Sequence, residues 1–537
     1  VDEEYDGVIA FFHPFCNAGG GGERVLFAAI LATQHQYPRA LCVVYTGDHD
    51  ASRDQILLNA RNRFNIDLNP ARVVFLYLTT REFVLANKWP YFTLLGQSFG
   101  SLILGWDALN LLAPDIYIDT MGYAFTIALC KWLFPRVPTA AYVHYPTIST
   151  DMLQSLNAAD GTGQGLNAGA GKGFRGQVKQ FYWQLFAKLY SRVGGSVDIV
   201  MTNSSWTQNH ISSLWGPSRA RHQLPAKDRS TTSSPSPRPI TVIYPPCAVS
   251  ELQSKIPVDA TSEATSRTNN ILYIAQFRPE KQHAEIIDAF HLFLRNVHAN
   301  TPVATRPRLI LVGSVRDDAD EKRVYKLRLH AQEVKDSVDF VVNAKWPQIL
   351  SYLASSAVGV NGMWNEHFGI GVVEYQAAGL ISVVNDSGGP KEDIVVDVDG
   401  GPTGELFPLP SLFCPSIYSD ISSSPRFPRH HTFLIRYSIR ESSIVIARRG
   451  TRDASTRPQE QLEVLGAGLF RSMEPGNACI GGHVGRSAAT EEEEEVIDFC
   501  ALHLLRRKSS RFFSQFLLCV SSDQVYVSDD AFDNAHI

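Results

Sequence analysis

Two glutamates carry the most suggestive spacing in this 537-residue chain: Glu366 and Glu374, in the stretch GMWNEHFGIGVVEYQAAG (362–379). An apolar run, AVGVN (357–361), precedes them and reads as a strand, and a helix is predicted from near Gly369. Glu366 then lies in the loop after the strand, and Glu374 lies within the helix. Both carboxylates face the strand ends, where they can accept hydrogen bonds from sugar hydroxyls. Spacing alone does not separate this from two ordinary acids beside a helix.

A second group is cationic. ILYIAQF (271–277), another predicted strand, runs into Arg278-Pro-Glu-Lys281. Two cations at a strand's carboxyl end can hold a diphosphate by charge-assisted hydrogen bonds, doing electrostatically what a metal does elsewhere. A surface ion pair with Glu280 is the equal alternative. A third group is the run Gly19, Gly20, Gly21 and Gly22 in HPFCNAGGGGE (13–23), between a predicted strand and a predicted helix. Without Cβ atoms, backbone amides there can approach a phosphate or a sugar. A tight turn accounts for one or two such glycines; four favour a ligand. The dinucleotide fingerprint G-x-G-x-x-G would need glycine at position 24 or 25, and these are Arg24 and Val25, which argues against nicotinamide binding. Finally, NDSGGPKED (385–393) sets Ser387, Gly388 and Gly389 between a strand and a helix start, with Pro390 near its first position. That turn suits either backbone amides for an anion or a well-capped helix.

Such loops need a scaffold that gathers strand ends, and the remaining pattern supplies one. Short β-rich runs at 7–12, 41–48, 71–78, 115–120, 139–146 and 196–204 alternate with helix-length segments, and a second set (TVIYPP from 241, then 271–277, 308–314, 338–343, 357–361 and 380–386) does the same. Alternation of this kind predicts parallel, doubly wound sheets, hence an α/β chain with two Rossmann-like halves. The expected division is an N-terminal half over 1–215, a mobile Ser/Pro-rich junction over 216–239 and a C-terminal half over 240–402. A Gly-rich stretch, 157–176, reads as a surface loop because no strand leads into it. From about 401 the pattern collapses: 403–490 shows neither structural period and is expected to form no ordered domain. Within 491–537, the run Glu491 to Glu495 reads as a solvated tail, and VIDFCALHLLRRKSSRFFSQFL (496–517) has helical apolar spacing.

Composition narrows the class. Hydrophobic residues make up 44% and charged residues 19%, enough apolar material for real cores and far from the signature of disorder. The net charge of -5, from 49 Lys plus Arg against 54 Asp plus Glu, supplies no overall basic field for nucleic acid. The eight cysteines are scattered without metal-ligand spacing, so reduced, mostly buried thiols in a cytosolic compartment are expected. The opening VDEEYDGVIAFF shows no signal-peptide regions and, lacking an initiator Met, reads as a trimmed product. One stretch, WPYFTLLGQSFGSLILGWDALNLLAP (89–114), is long enough to span a bilayer. Gln97, Ser98, Ser101, Asp107 and Asn110 argue instead for a buried helix, with an amphipathic surface resting on a bilayer as the alternative.

The motifs carry a resemblance. E-x-F-G-I-x-x-x-E from Glu366 to Glu374, with R-P-E-K before it and S-G-G-P after it, resembles the retaining GT-B glycosyltransferases. HPFCNAGGGGERV, YVHYPTIST and MWNEHFGIGVVEYQAAGLI together resemble the dolichol-pathway α-1,2-mannosyltransferases, over the chain up to about Pro402. That resemblance implies a GT-B fold and α-mannose transfer from GDP-mannose to a dolichyl-diphosphate-linked oligosaccharide, at the cytosolic face of the endoplasmic reticulum. Carried over by position, Glu366 would contact the donor mannose, Glu374 the nucleotide ribose, and Arg278 with Lys281 the diphosphate. His144 would face the transferred sugar, Gly19 to Gly22 would line the cleft floor, and Phe368, Gly369 and Ile370 with Ser387 to Gly389 would border the donor. No metal and no separate cofactor is implied. The implied partners are the donor, the lipid-linked acceptor, the membrane surface and other mannosyltransferases of the pathway, with no nucleic acid. The chain departs from the family in lacking the N-terminal membrane segment and, past Gly404, in turning to Pro/Ser/Arg-rich text of the kind an unspliced intron or faulty gene prediction leaves; only SSRFFSQF (509–516) is similar to the family's ending.

Other readings keep the same residues. Transfer of glucose or N-acetylglucosamine satisfies the same motif logic, and a non-catalytic sugar-nucleotide-binding protein would share the fold. Asp318-Ala-Asp320 matches the D-x-D of metal-dependent GT-A transferases, but acids at a helix start account for it.

Overall fold

Short runs rich in Val, Ile, Phe and Tyr cannot hide their apolar faces alone, so they assemble into sheets covered on both sides by helices. The computed structural model describes residues 2, 4–155, 173–222, 239–256, 258, 267–315, 318–398 and 401–407. Its first sheet is built from β1 (Val8–Phe12), β2 (Leu41–Thr46), β3 (Val73–Tyr77), β4 (Ile116–Asp119), β5 (Thr139–Val143), β6 (Ile199–Thr202) and β7 (Ile240–Val242). The strands lie in the order β3-β2-β1-β4-β5-β6-β7, all parallel. Around it pack α1 (Gly21–Gln36), α2 (Arg53–Phe64), α3 (Thr93–Leu111), α4 (Ala124–Leu133), α5 (Thr150–Ser155), α6 (Gly173–Gly194) and α7 (Ser205–His222). Every residue of β1 is buried, as a parallel strand covered on both faces requires. Ile9 and Phe11 join a core with Leu26 and Ile30 of α1, while Val8, Ala10 and Phe12 join another with Leu104 of α3 and Ile127 of α4.

The second sheet repeats the plan with β8 (Thr268–Ile274), β9 (Leu309–Gly313), β10 (Val338–Val342), β11 (Ser356–Asn361), β12 (Ile381–Asn385) and, after the small hairpin β13 (Asp397–Val398) and β14 (Gly401–Pro402), β15 (Glu405–Phe407). Its order is β10-β9-β8-β11-β12-β15, again parallel. Helices α8 (Val249–Lys255), α9 (His283–Val297), α10 (Asp318–His330), α11 (Trp346–Ser355) and α12 (Ile370–Ala377) connect and cover it. In each sheet the winding direction reverses once, between β1 and β4 and between β8 and β11. Such reversals leave a crevice at the strands' carboxyl ends, where ligands of open α/β sheets bind. The two Rossmann-like halves expected from the alternation are both present.

Three boundaries move. Ile240–Val242 pairs with β6, so the strand expected to open the C-terminal half closes the N-terminal sheet instead. A three-residue run is too short for its own sequence to say which sheet it joins. The junction expected from 216 begins later, because α7 continues to His222 with Pro217 inside it; 223–238 lie outside the described residues. The second sheet takes in residues past 402, the expected end of the C-terminal half. Glu405–Phe407 adds a strand beside β12, and Thr403 is buried, its hydroxyl bonded to Ile394 and Val396. The expectations for 408–490 and 491–537, and for most of the Gly-rich stretch 157–176, fall outside the described residues; 173–176 belong to α6.

Helix α3, the stretch with membrane character, packs one face on the core and turns an apolar face outward. Its small residues Gly96, Ser98, Gly100, Ser101 and Gly105 face inward, where a Cβ on Gly100 would lie 1.9 Å from the Phe83 carbonyl oxygen. Several large ones face out, Phe99 at 56% and Trp106 at 51% exposed, while Leu104 and Leu109 join the small residues on the buried face. Asp107 is no intruder, because one carboxylate oxygen accepts the backbone N–H and hydroxyl of both Thr79 and Thr80 at 2.8–3.1 Å. The buried-helix expectation therefore holds for one face only. Among the described residues no helix is long and apolar enough to cross a membrane.

Asp119, closing β4, is wholly buried and accepts the Met121 backbone N–H at 3.0 Å. Burial pushes its carboxyl up to about 7, against the opposing hydrogen bonds from the 121–123 backbone. A folded-state value above the unfolded one means stability is lost as pH rises from about 4 to about 7. Asp119→Asn keeps the accepting oxygen and removes the titration. It should unfold with a stability advantage over the parent that is up to about 3 kcal/mol larger at pH 8 than at pH 5, since each tenfold change in proton affinity is worth about 1.4 kcal/mol. Urea denaturation at the two pH values reads this, and parallel stability curves would refute it.

Candidate active site

At the crevice of the second sheet, the chain leaves β11 at Asn361 and turns at once, Met363 N–H donating to the Asn361 side-chain oxygen at 3.0 Å. Asn365 sits two residues on with φ 53°, a left-handed conformation that Asn tolerates better than most residues. Its backbone N–H donates to the Ser387 hydroxyl at 2.7 Å, which donates onward to Asn385 at 2.5 Å. The Gly389 N–H donates to the Glu366 carbonyl at 2.7 Å. A Cβ on Gly388 would lie 2.3 Å from that carbonyl oxygen, and one on Gly389 2.5 Å from the carbonyl of His367. The S-G-G turn thus braces the Glu366 loop by close backbone approach, and only glycine fits there. The turn leads into a five-residue helical segment, Pro390–Ile394, with Pro390 at its start as expected, wound as a π-helix and without a side-chain cap.

Glu366 meets Lys281 here, carboxylate oxygen to Nζ at 2.5 Å, with the Asn361 amide at 3.4 Å and the Met363 sulfur 3.0 Å from the same ammonium. Burial alone would push the Glu366 carboxyl up, but the Lys281 charge, His367 and these hydrogen bonds outweigh it and hold the group below the ordinary glutamate range. The R-P-E-K loop is tied to the Glu366 loop a second time, Trp364 N–H donating to Gln282 at 2.9 Å. Arg278 lies 4.0 Å from Glu280, the ion pair that spacing had offered as its alternative role. The Phe368 ring is buried in a core with Val372, Val384, Ile394 and Val395, so its side chain packs as scaffold beneath the loop.

The crevice of the first sheet lies opposite. Gly19 takes φ +79°, and α1 begins directly after Gly20, whose N–H donates to the Glu23 carboxylate and whose carbonyl accepts Arg24 N–H at 3.2 Å. The other Glu23 oxygen is 3.5 Å from Nε2 of buried His13, and His13 Nδ1 is 2.8 Å from the Thr120 hydroxyl. His144 Nε2 lies 3.1 Å from the Thr120 carbonyl, so that nitrogen carries the hydrogen and Nδ1 is left as an acceptor. Burial, with His13 beside it, pushes His144 down to about 4, so the ring is neutral at physiological pH. A Cβ on Gly22 would lie 3.6 Å from this imidazole, which places the glycine run beside His144.

The two crevices close on each other. Glu374, in the second turn of α12, pairs with Arg24 of α1 at 3.1 Å. One turn earlier, Ile370 touches the glycine run, since a Cβ on Gly21 would lie 2.8 Å from its Cδ1. Asn365 donates to Asp151 of α5 at 2.7 Å, and His367 stacks on Tyr145 with ring centroids 4.1 Å apart. Of the residues singled out from the sequence, Glu366, Lys281 and Glu374 stand at the second crevice, and His144 and the glycines at the first. Sequence reasoning missed His13, Glu23, Arg24, Thr120 and Asp151. Glu23 left a trace, an acid three residues into a helix after its cap position; Arg24 left none, since its partner is 350 residues away.

Comparison with known proteins agrees with this geometry. Residues 6–215 match the family described as ALG11 mannosyltransferase N-terminus, and residues 258–410 match glycosyl transferases group 1. Over 406 residues the chain is 61% identical to the GDP-Man:Man(3)GlcNAc(2)-PP-Dol alpha-1,2-mannosyltransferase of Neurospora crassa, spanning 75% of this chain and 71% of that protein. The human protein of the same name is 44% identical over 405 residues, spanning 74% and 76%. Among solved structures, sucrose-phosphate synthase from Thermosynechococcus elongatus superposes with a TM-score of 0.54 at 14% identity, covering 87% of this chain and 100% of that one. Anabaena HepE with UDP and glucose gives 0.52 at 15%, covering 86% and 100%. These likenesses carry the fold alone.

The Lys281–Glu366 pair makes a stability prediction. Lys281→Met alone leaves a buried carboxylate without its counter-charge and should cost roughly 2–4 kcal/mol. Lys281→Met with Glu366→Gln removes both charges and should recover most of that loss. Chemical denaturation of the three proteins checks it; a double variant as unstable as the single one would mean the pair's electrostatics are not what the loop depends on.

Proposed function

The chain belongs to the dolichol-pathway, GDP-mannose-dependent α-1,2-mannosyltransferase family of GT-B glycosyltransferases, and from that membership we propose how its own residues carry the transfer. The donor is GDP-mannose, and the acceptor is a dolichyl-diphosphate-linked Man3GlcNAc2 oligosaccharide that receives mannose in α-1,2 linkage with retention of configuration. The observation that carries this reading is the Lys281–Glu366 pair at the crevice of the second sheet, facing His144 and the glycine run across the cleft.

In this reading Lys281 and Arg278 stabilise the negative charge that grows on the departing diphosphate, and no metal ion is needed for that step. Glu366 sits by the mannose ring as positive charge builds at its anomeric carbon, and its ionised state is the one the Lys281 charge favours. His144, neutral and accepting at Nδ1, takes a hydrogen bond from a hydroxyl of the transferred sugar. Glu374 accepts from the ribose. The Gly19 to Gly22 run lets donor or acceptor approach the start of α1 without obstruction.

The acceptor's lipid cannot leave a bilayer, so the protein works at a membrane surface, and we place it on the cytosolic face of the endoplasmic reticulum. What supports this is the outward apolar face of the N-terminal half. Phe99 and Trp106 of α3 are joined by Phe181 and Leu185 of α6, with Lys179 and Lys188 on the same helix. The two helices are linked by Leu95 N–H donating to the Tyr182 hydroxyl at 3.0 Å and by the Phe92–Tyr182 ring pair. Apolar burial with a few cations gives reversible adhesion.

Two experiments test these assignments. In steady-state assays varying GDP-mannose, Glu366→Gln should lower kcat by roughly one to three orders of magnitude, because its contact strengthens only at the transition state. Glu374→Gln should mainly raise KM, since the ribose does not change during reaction, and EDTA should leave the parent's turnover unchanged. Matching kcat losses in both variants would show the roles misassigned, and loss of turnover in EDTA with recovery in manganese would overturn the cation assignment. For the membrane face, the parent should float with anionic, dolichol-containing liposomes, while the pair Phe99→Ser and Trp106→Ser should stay largely in the soluble fraction. A parent that does not float refutes that part.

A further inference from the structure

Glu374 is a carboxylate buried in the second domain whose charge is met from the first. Arg24, one turn into α1, reaches across the cleft to Glu374 Oε1 at 3.1 Å, and the two side chains are only 15% and 10% exposed. The contact belongs to a larger seam: Gly21 and Arg24 lie one turn apart on α1, Ile370 and Glu374 one turn apart on α12, and Gly21 abuts Ile370 as Arg24 meets Glu374. The same first turn of α1 is fixed on its other side, since Glu23 is held between the Gly20 N–H and His13. Arg24 is therefore presented by a braced element, not by a mobile loop.

We propose that Arg24 is the positioning residue of the nucleotide site: through its ion pair it keeps Glu374 ionised and aimed, and so makes nucleotide binding depend on the approach of the N-terminal domain. This rests on the reading of Glu374 as the ribose-binding carboxylate. Arg24 engages one oxygen of that carboxylate, and the second oxygen takes the ribose hydroxyl. A hydroxyl donor is held most strongly by an ionised acceptor, and burial pushes the Glu374 carboxyl above the ordinary glutamate range while the Arg24 charge opposes it. Among the described residues the other groups facing it do not supply a cation: Glu251 of α8 adds a like charge, itself bonded to Lys255 and to the Trp346 ring N–H, and Tyr375 beside it is un-ionised and accepts the Ile274 N–H. Removing Arg24 thus leaves Glu374 to take up a proton at a higher pH than in the parent.

The test is equilibrium binding of GDP to the full chain by calorimetry, from pH 5.5 to 8, beside mannose transfer at saturating donor. Arg24→Gln should weaken GDP binding about tenfold at pH 6 and less at pH 8, while kcat changes less than threefold; Arg24→Lys should restore most of the affinity. Glu374→Gln should bind GDP weakly at every pH, and Arg24→Gln added to it should cost nothing further, because Arg24 acts through that carboxylate. Additive losses in the double variant would assign Arg24 to direct phosphate contact and overturn the proposal, as would an Arg24→Gln affinity that falls equally at all pH values. A parent that binds no GDP would sink the functional reading itself, whereas a parent that binds and transfers beside an unaffected Arg24→Gln would sink only this inference.

Discussion

A carboxylate taken out of water must be met by a cation or by hydrogen bonds, and the cleft of this protein is organised around two that are. Glu366 is answered from within its own domain, by Lys281 on the neighbouring loop. Glu374 is answered from the other domain, by Arg24. The difference decides what each can do. A counter-charge on a loop tied to the Glu366 loop by the Trp364–Gln282 hydrogen bond is present whether the cleft is open or closed. One carried by α1 is present only when the domains meet.

The placement of these charges is set by the winding of the sheets. Because β1 and β4 part company at one reversal and β8 and β11 at the other, the loops leaving those strands are the ones free to hold ligands. Each crevice is then floored by groups that need no water. Thr120 joins His13 to His144 in the first, and the Asn385–Ser387–Asn365 chain with the Gly389–Glu366 hydrogen bond stiffens the second. Preorganisation of this kind means little rearrangement is left for the moment when charge develops on a reacting sugar.

Much of this was legible in the sequence for reasons that can be stated residue by residue. Parallel strands covered on both faces must be continuously apolar, so LCVVYT or RLILVG could hardly be anything else. A run of glycines after a strand marks where backbone must come close to something. What could not be read were the pairings between elements. Ile240–Val242 is too short to declare its sheet, and it crossed from the expected second half into the first. Phe368, inside the motif, reads like a site residue by its neighbours in sequence but is core by its neighbours in space. Gly388 and Gly389 were weighed as anion binders, yet their small size is already required by the backbone of 366–368. Arg24 entered the sequence reading only as the residue that breaks a dinucleotide fingerprint, because its partner Glu374 lies 350 residues away.

The orientation of α3 bears on the proposed membrane contact by the same logic of what each face must touch. A helix that points Gly96, Gly100 and Gly105 inward lets its backbone lie close against the Trp89 ring, the 81–84 turn and α4 in turn, and it can then turn Phe99 and Trp106 outward. Water is a poor solvent for that outer face, and exposing it is tolerable only if something apolar covers it during work. α3, α4 and α6 pack on the sheet face that contains Val8, Ala10 and Phe12, and the loop that carries the glycine run leaves that same strand, β1. An acceptor whose sugar chain stands on a diphosphate at the bilayer surface would therefore meet the N-terminal domain first. In the proposed reading, the nucleotide carboxylate Glu374 has its counter-charge only where α12 lies against α1. An arrangement of that order keeps the activated sugar away from water until an acceptor-bearing domain is in place, which is what a transferase, as opposed to a hydrolase, has to achieve.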